Sequence, residues 1–323
     1  MFASVDIKFL FWTDLHSYYT NLNHIVNLAN HLKSKDALDL MISAGDNLER
    51  GDEDPETLNK YLSACLVDTL VSEGNHERAA YHHGDAELAY NICIAPTLAR
   101  VENVVAPEDS ASNYRPYYYK DYNSVRIVIL YTTYDQTEQL SWLTDVLTDA
   151  KTNSKHVILV NHPPHDNNYA TMIYSTPQAY ADAHVNTFHS AQGTLWGGTP
   201  FGGDTDIPAA YLLAVKSFED AGGNFICWLT GHTHQDCFYD VTDHDTYGYQ
   251  QMFNSASCAH KHSWHDLYKE ANTKSWDCIN YITVDTTKKM LNIMRVGADV
   301  DTLGRGRHLL TYNYETHTII SNY

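Results

Sequence analysis

Two imidazoles one residue apart, in Gly231-His232-Thr233-His234, directly follow an apolar run ending at Leu229. Histidines at i and i+2 after a buried strand are seldom core residues; at a strand end they can face one site together. Four other short blocks share this setting: Asp14-Leu15-His16, Gly45-Asp46, Gly74-Asn75-His76-Glu77, and His162 ahead of Pro163-Pro164. Taken singly, each has an ordinary reading. Gly-Asp is usually a turn, and a histidine before two prolines is usually a loop residue. Taken in this order, each behind an apolar run, they form a ligand set. The donors are imidazole and oxygen without thiolate, which suits two divalent cations drawn from Mn, Fe, Zn, Ni or Co. A carboxylate such as Asp46 can bridge two cations about 3.5–4 Å apart, a pair able to hold a phosphoryl group and activate water. Glycines at 45, 74 and 231 are expected to let the backbone turn beside a ligand.

The elements that must position these blocks are legible as apolar runs. Val5–Trp12, Leu38–Ser43, Val67–Ser72, His156–Val160 and Asn224–Leu229 read as strands, and each ends at one of the blocks. Apolar residues at helical spacing mark Leu22–Leu32, Pro55–Leu66, Glu138–Ala150 and Ala209–Ala221 as helices. Tyr114–Tyr122 and Val125–Tyr131 read as neighbouring strands around an Asn-Ser turn. This strand–loop–helix rhythm predicts an α/β core whose loops converge on one sheet edge. The segment 166–208, rich in Gly, Asn, Thr, Tyr and His, reads as an insertion over the site. Tyr249–Asn254, Cys278–Asp285, Met290–Val296 and Leu309–Tyr314 read as strands that complete a second sheet.

The order D-x-H, GD, GNHE, H, GHTH from Asp14 to His234 resembles the calcineurin-like metallophosphoesterase superfamily. The resemblance implies a four-layer α/β/β/α sandwich, two mixed β-sheets flanked by helices, in one domain over residues 1–323. It also implies hydrolysis of a phosphate ester by a metal-bridging hydroxide. Asp14, His16, Asp46 and His234 would bind one metal; Asp46, Asn75, His162 and His232 would bind the other. His76 matches the family histidine that lies outside the metal shell and protonates the leaving group or stabilises the transition state. Gly45-Asp46-Asn47-Leu48-Glu49-Arg50-Gly51 is similar to the phosphatase form of the second block, GDxxDRG, with Glu in place of Asp. That likeness implies a Glu49–His76 contact and an Arg50–phosphate contact. Residues 295–313 are more loosely similar to phosphoesterase modules of Gram-positive phages, which points to a cell-wall phosphodiester such as teichoic acid.

The formal charge of −19 argues against a duplex nucleic-acid partner, because no Lys/Arg run is present to displace counterions. No apolar stretch of membrane-spanning length and no signal-peptide pattern occurs, so a cytoplasmic or phage-associated protein is expected. The six cysteines form no CxxC pair, and Cys227 reads as a buried hydrophobe. Most of the 19 histidines are expected to be something other than ligands. His260, His262 and His265 beside Cys258 match no zinc spacing, His82-His83 reads as a turn, and His165 is a candidate substrate contact. The enzymatic reading favours a phosphodiesterase. Its alternatives are phosphomonoesterase or pyrophosphatase action, and a metal-holding module that binds a phosphorylated polymer without turnover. The presence of His76 weighs against the last, since a binder needs no leaving-group acid.

Overall fold

The computed structural model describes residues 5–49, 55–78, 87, 90–131, 136–164, 209–232, 234, 237–239, 244–255, 257–259, 270–273, 275–298 and 309–322. The insertion 166–208 lies outside them. The chain forms two mixed sheets. In the first, β1 (Ile7–Trp12), β2 (Leu40–Ser43) and β3 (Asp68–Val71) run parallel, with helices α1 (Tyr19–Lys33) and α2 (Pro55–Ser63) between them in sequence. In the second, β5 (Val125–Ile129), β6 (His156–Val160), β7 (Asn224–Thr230) and β9 (Met252–Asn254) run parallel. Antiparallel β4 (Tyr118–Tyr122) and β8 (Cys237–Tyr239) close its two edges. Helices α6 (Gln136–Thr152) and α7 (Ala209–Asp220) accompany this sheet, after the short helices α3 (Asn75–Arg78), α4 (Ala95–Arg100) and α5 (Ser110–Asn113).

Residues of β5 alternate between two cores. Val125, Ile127 and Ile129 of β5 face the core shared with the first sheet, whereas Val128 faces Leu143 and Leu147 of α6 and Leu212 and Val215 of α7. Phe11 of β1 meets Phe253 of β9 across the sheets, ring centroids 6.0 Å apart. Leu10 and Trp12 therefore point away, to the side where Leu22, Ile25, Val26 and Ala29 of α1 lie at helical spacing. Helix, sheet, sheet and helix stack as four layers.

The register sets the ends of the strands. Trp12 of β1 lies opposite Ser43 of β2, and Ser43 opposite Val71 of β3. Thr230 of β7 lies opposite Asn254 of β9. The loops that follow all leave from one edge, where Gly231 N–H donates to His162 O (2.8 Å) and Cys258 N–H to Thr13 O (2.9 Å).

The C-terminal strands depart from the sequence reading. Only Met252–Asn254 joins the second sheet. β10 (Cys278–Asp285) pairs antiparallel with β1, and β11 (Met290–Gly297), β12 (Leu309–Asn313) and β13 (Thr318–Asn322) extend the first sheet outward. An alternating pattern reports which face of a strand is buried, not which neighbour it has. β10 is buried along most of both faces, in an interior place between β1 and β11. β13 was not read from the sequence. β4 begins only at Tyr118, because Tyr114 takes a left-handed φ of 50° after α5. Among the described residues no helix is long and apolar enough to cross a membrane.

At the strand ends remote from these loops, His156 is buried beside Lys289 Nζ (3.4 Å) and Tyr314 Oη (2.8 Å). Burial, then Lys289, push its pKa down to about 4, with Asp6 opposing. The unfolded chain then binds a proton below about pH 6.5 that the folded chain takes up only near pH 4. Stability contributed here is complete above about pH 6.5 and falls as pH drops toward 4, by on the order of 1–3 kcal/mol. In urea unfolding between pH 7 and 4, His156→Asn is expected to flatten part of the wild-type decline; an unchanged slope would contradict the shift.

Candidate metal centre

Five of the seven residues that carry the donors are themselves the turns, and Ser17 turns beside them. Asp14 (φ 55°), His16 (49°), Ser17 (60°), Asp46 (51°), His232 (70°) and His234 (57°) all adopt left-handed backbone. Non-glycine residues pay for this conformation, about 1–3 kcal/mol each, and it persists only where neighbours over-determine it. Here the loops after β1 and β2 are laced together. Asp14 N–H donates to Gly45 O (3.0 Å), His16 N–H to Asp46 O (2.9 Å) and Ser17 N–H to Asn47 O (3.0 Å). Glu77, 1% exposed, receives the N–H groups of Asp46 (3.0 Å), Leu48 (2.9 Å) and Gly74 (2.6 Å). His232 N–H donates to the Asp14 carboxylate (3.0 Å), His76 N–H to Asp46 Oδ1 (2.8 Å), and the Ser257 hydroxyl to Asp14 O (2.6 Å).

The three glycines are not equivalent. Gly45 does turn the chain, at φ 98°. Gly231 is required for space: a Cβ there would lie 1.9 Å from Thr13 Oγ1 and 2.6 Å from Asp14 Oδ2. A Cβ on Gly74 would lie 2.1 Å from Asp46 Oδ1.

This scaffold draws the donors into one cluster. At one end are Asp14, His16 and His234: His234 Nε2 lies 3.2 Å from Asp14 Oδ1 and 3.0 Å from His16 Nε2. At the other are Asp46, His162 and His232: His162 Nε2 lies 3.1 Å from Asp46 Oδ2. Asn75 Oδ1 sits among them, 3.0 Å from His162 Nε2 and 2.9 Å from His232 Nδ1. Asp46 Oδ2 is also 4.0 Å from His16 Nε2, so its carboxylate stands between the two ends. A cation with bonds of about 2.0–2.2 Å at right angles places neighbouring ligand atoms about 3 Å apart. The donor spacing fits. The ring of His162 fits too: its Nδ1 lies 2.7 Å from the Ala44 carbonyl, which only accepts, so Nδ1 carries the hydrogen and Nε2 presents its lone pair.

With protons alone to balance them, the groups titrate as a site built for positive charge. Burial raises the Asp14 and Asp46 carboxyls, yet the neighbouring histidines hold both well below the usual range: His234 for Asp14, His162 and His76 for Asp46. Burial lowers His162, but Asp46 pulls it up to about 9. Burial and the adjoining His162 push His232 down to about 4. Burial and Asp46 lift Glu77 to about 7 against its backbone donors.

His76 stands at the edge of the cluster, its Nε2 3.9 Å from Asp46 Oδ2. The expected contact with Glu49 is made by the backbone: His76 Nδ1 lies 2.7 Å from the Glu49 carbonyl oxygen. The Glu49 carboxylate instead reaches His16, with Oε2 3.0 Å from Nδ1. The rings of His16 and His76 are adjacent, centroids 4.6 Å apart. Arg50, His82-His83, His165, His260, His262 and His265 lie outside the described residues. Sequence reasoning gave no role to Glu77 or Ser257. Glu77 carried a signal, an acid directly after the Asn75-His76 pair; Ser257 carried none.

The family model for calcineurin-like phosphoesterases matches residues 7–236. No curated protein matches the chain. Among solved structures the chain is similar to a dimetal phosphatase from Danio rerio, at 12% identity and TM-score 0.57 over 96% of this chain and 100% of that one. It is also similar to the purple acid phosphatase PPD1 from yellow lupin (Lupinus luteus) seeds, at 12% identity and TM-score 0.53, over 96% of this chain and 54% of that one. At such identity these two structures speak for the fold alone.

Gly231→Ala is expected to displace Asp14 and Thr13 and weaken metal uptake at least tenfold, measured by titration of the metal-free protein, with far-UV circular dichroism retained. Normal uptake would show that the loop accommodates a Cβ.

Proposed function

The chain belongs to the calcineurin-like phosphoesterase family, and on that premise we propose that it is a phosphodiesterase in which His76 protonates the departing alcohol. The coarser statement stands by itself: this is a metal-dependent phosphoesterase, with carboxylate and imidazole groups clustered where cations would sit. Two bound cations would supply Lewis-acid polarisation of the phosphoryl oxygens and a water of lowered pKa.

In this reading Asp14, His16 and His234 hold one cation, Asn75, His162 and His232 hold the other, and Asp46 is shared. The nitrogen and oxygen donors suit Mn, Fe, Zn, Ni or Co. The geometry of His76 carries the proposal. Its Nδ1 hydrogen is fixed on the Glu49 carbonyl, so Nε2, at the edge of the cluster, bears the proton that can move. Burial opposes the charged ring, but Asp46 and the Glu49 carbonyl outweigh it and hold the His76 pKa above its ordinary value. The acid form therefore persists to higher pH, as a leaving-group acid requires.

A diester is favoured over a monoester on charge. It carries one negative charge rather than nearly two, and the protein bears −19. A small phosphate ester or a cell-wall phosphodiester such as teichoic acid fits this description. Arg50 is assigned to the phosphate, on the strength of the GDxxDRG likeness.

The test varies the leaving group. His76→Asn is expected to keep both cations and to lose about 10²–10⁴-fold in kcat on an alkyl diester. On bis-p-nitrophenyl phosphate, whose phenolate departs unaided, the loss should be far smaller. Equal losses on both would remove the acid role, and a wild-type preference for p-nitrophenyl phosphate would replace the diesterase with a monoesterase. Arg50→Ala is expected to lower kcat/KM; an unchanged value would remove its phosphate contact.

A further inference from the structure

The two ends of the cluster are backed differently. His162 is steadied by a rigid, neutral acceptor, the Ala44 carbonyl 2.7 Å from its Nδ1. His16 is backed by a carboxylate: Glu49 Oε2 lies 3.0 Å from Nδ1, off the ring N–H axis, with the imidazole side chain 1% exposed and the carboxylate side chain 35% exposed. Glu49 is itself anchored to this loop, its N–H donating to Ser17 Oγ (2.9 Å) beside His16. The formal charges are unequal in the same sense. Asp14 and the shared Asp46 face the His16 end, while Asn75, a neutral amide, joins Asp46 at the His162 end.

We propose that Glu49 is a positioning residue for His16 and sets the cation affinity of the Asp14–His16–His234 end alone. The proposal rests on the dinuclear reading above. A carboxylate charge 3.0 Å from Nδ1 favours the hydrogen there and makes Nε2 of the ligating imidazole a stronger donor; loss of such a partner costs about 10–100-fold in metal affinity. The half-exposed carboxylate thus acts on a buried ligand from the solvent side. The Asn75–His162–His232 end has a backbone acceptor in the corresponding place, so the charge at residue 49 does not reach its ligands.

The experiment is a cobalt(II) titration of metal-free full-length protein, followed by calorimetry and visible absorption, for wild type, Glu49→Gln and Glu49→Ala. Wild type is expected to show two binding steps. In Glu49→Ala one step weakens about 10–100-fold and the other stays within about twofold. Glu49→Gln, which keeps an oxygen at the same reach without the charge, recovers part of the loss. In a His232→Ala background, where the remaining ion sits at the His16 end, Glu49→Ala should weaken the single step by the same factor. Equal weakening of both steps, or of neither, would overturn the proposal. So would a fall in kcat at saturating cobalt with both affinities unchanged, since Glu49 would then act on His76. A wild-type protein that takes up no cobalt would overturn the dinuclear reading, and the proposal with it.

Discussion

The site depends on a buried carboxylate that touches none of its chemistry. Glu77 accepts the N–H groups of Asp46, Leu48 and Gly74 and so ties the loop after β2 to the loop after β3. An amide would not serve. Three donors need more lone pairs than the single oxygen of Gln offers, and its NH₂ group would confront another N–H. A buried carboxylate is costly unless so satisfied, and three backbone donors are what make this one tolerable. From this clamp the order spreads outward. Asp46 fixed at its left-handed φ presents its carbonyl to His16 and its Oδ1 to the His76 N–H. Gly45 receives Asp14, and Asp14 in turn receives the His232 N–H. One acid outside the candidate ligand set thus sets the backbone of candidate ligands drawn from four separate loops.

The strands make that clamp possible by ending together. Parallel pairing puts every carboxyl end on one edge, and the register of β1, β2 and β3 leaves no stagger among Trp12, Ser43 and Val71. The loops then emerge so close that side chains at three positions would collide, and glycine occupies all three: at Gly45 the obstacle is the backbone of Glu73 and Gly74. At Gly74 the obstacle is Asp46, and at Gly231 it is Asp14 with Thr13. These last two glycines are part of the ligand geometry in the same sense as the carboxylates they make room for.

Much of this was legible in the sequence because chemistry and fold write in different alphabets. The apolar runs gave the parallel strands, and the polar residue types after them gave the five blocks the structure gathers. Pairing was less legible. Cys278–Asp285 reads as an alternating strand, but nothing in a period of two says that its neighbour is β1 rather than β9. Contacts made by backbone were invisible for the same kind of reason. His76 is held by the carbonyl of Glu49 and His162 by that of Ala44, and every residue owns a carbonyl. Ser257 supports Asp14 from a segment distant in sequence, with a hydroxyl common to any loop.

The strain in the donors bears on when the site takes its shape. Six non-glycine residues at left-handed φ, at about 1 kcal/mol or more each, amount to a sum comparable with the whole net stability of a typical domain. Lone pairs brought to about 3 Å add mutual repulsion. The hydrogen bonds of Glu77 and the apolar layers beneath offset part of this. A cation that binds only the folded arrangement offsets more, because its binding energy is added to folding. Five of the seven candidate donor residues, Asp14, His16, Asp46, His232 and His234, are among the strained ones, so a bound ion and the loop geometry would stabilise the same atoms. The strand ends can therefore be rigid while the loops they carry would draw part of their final order from a bound cation.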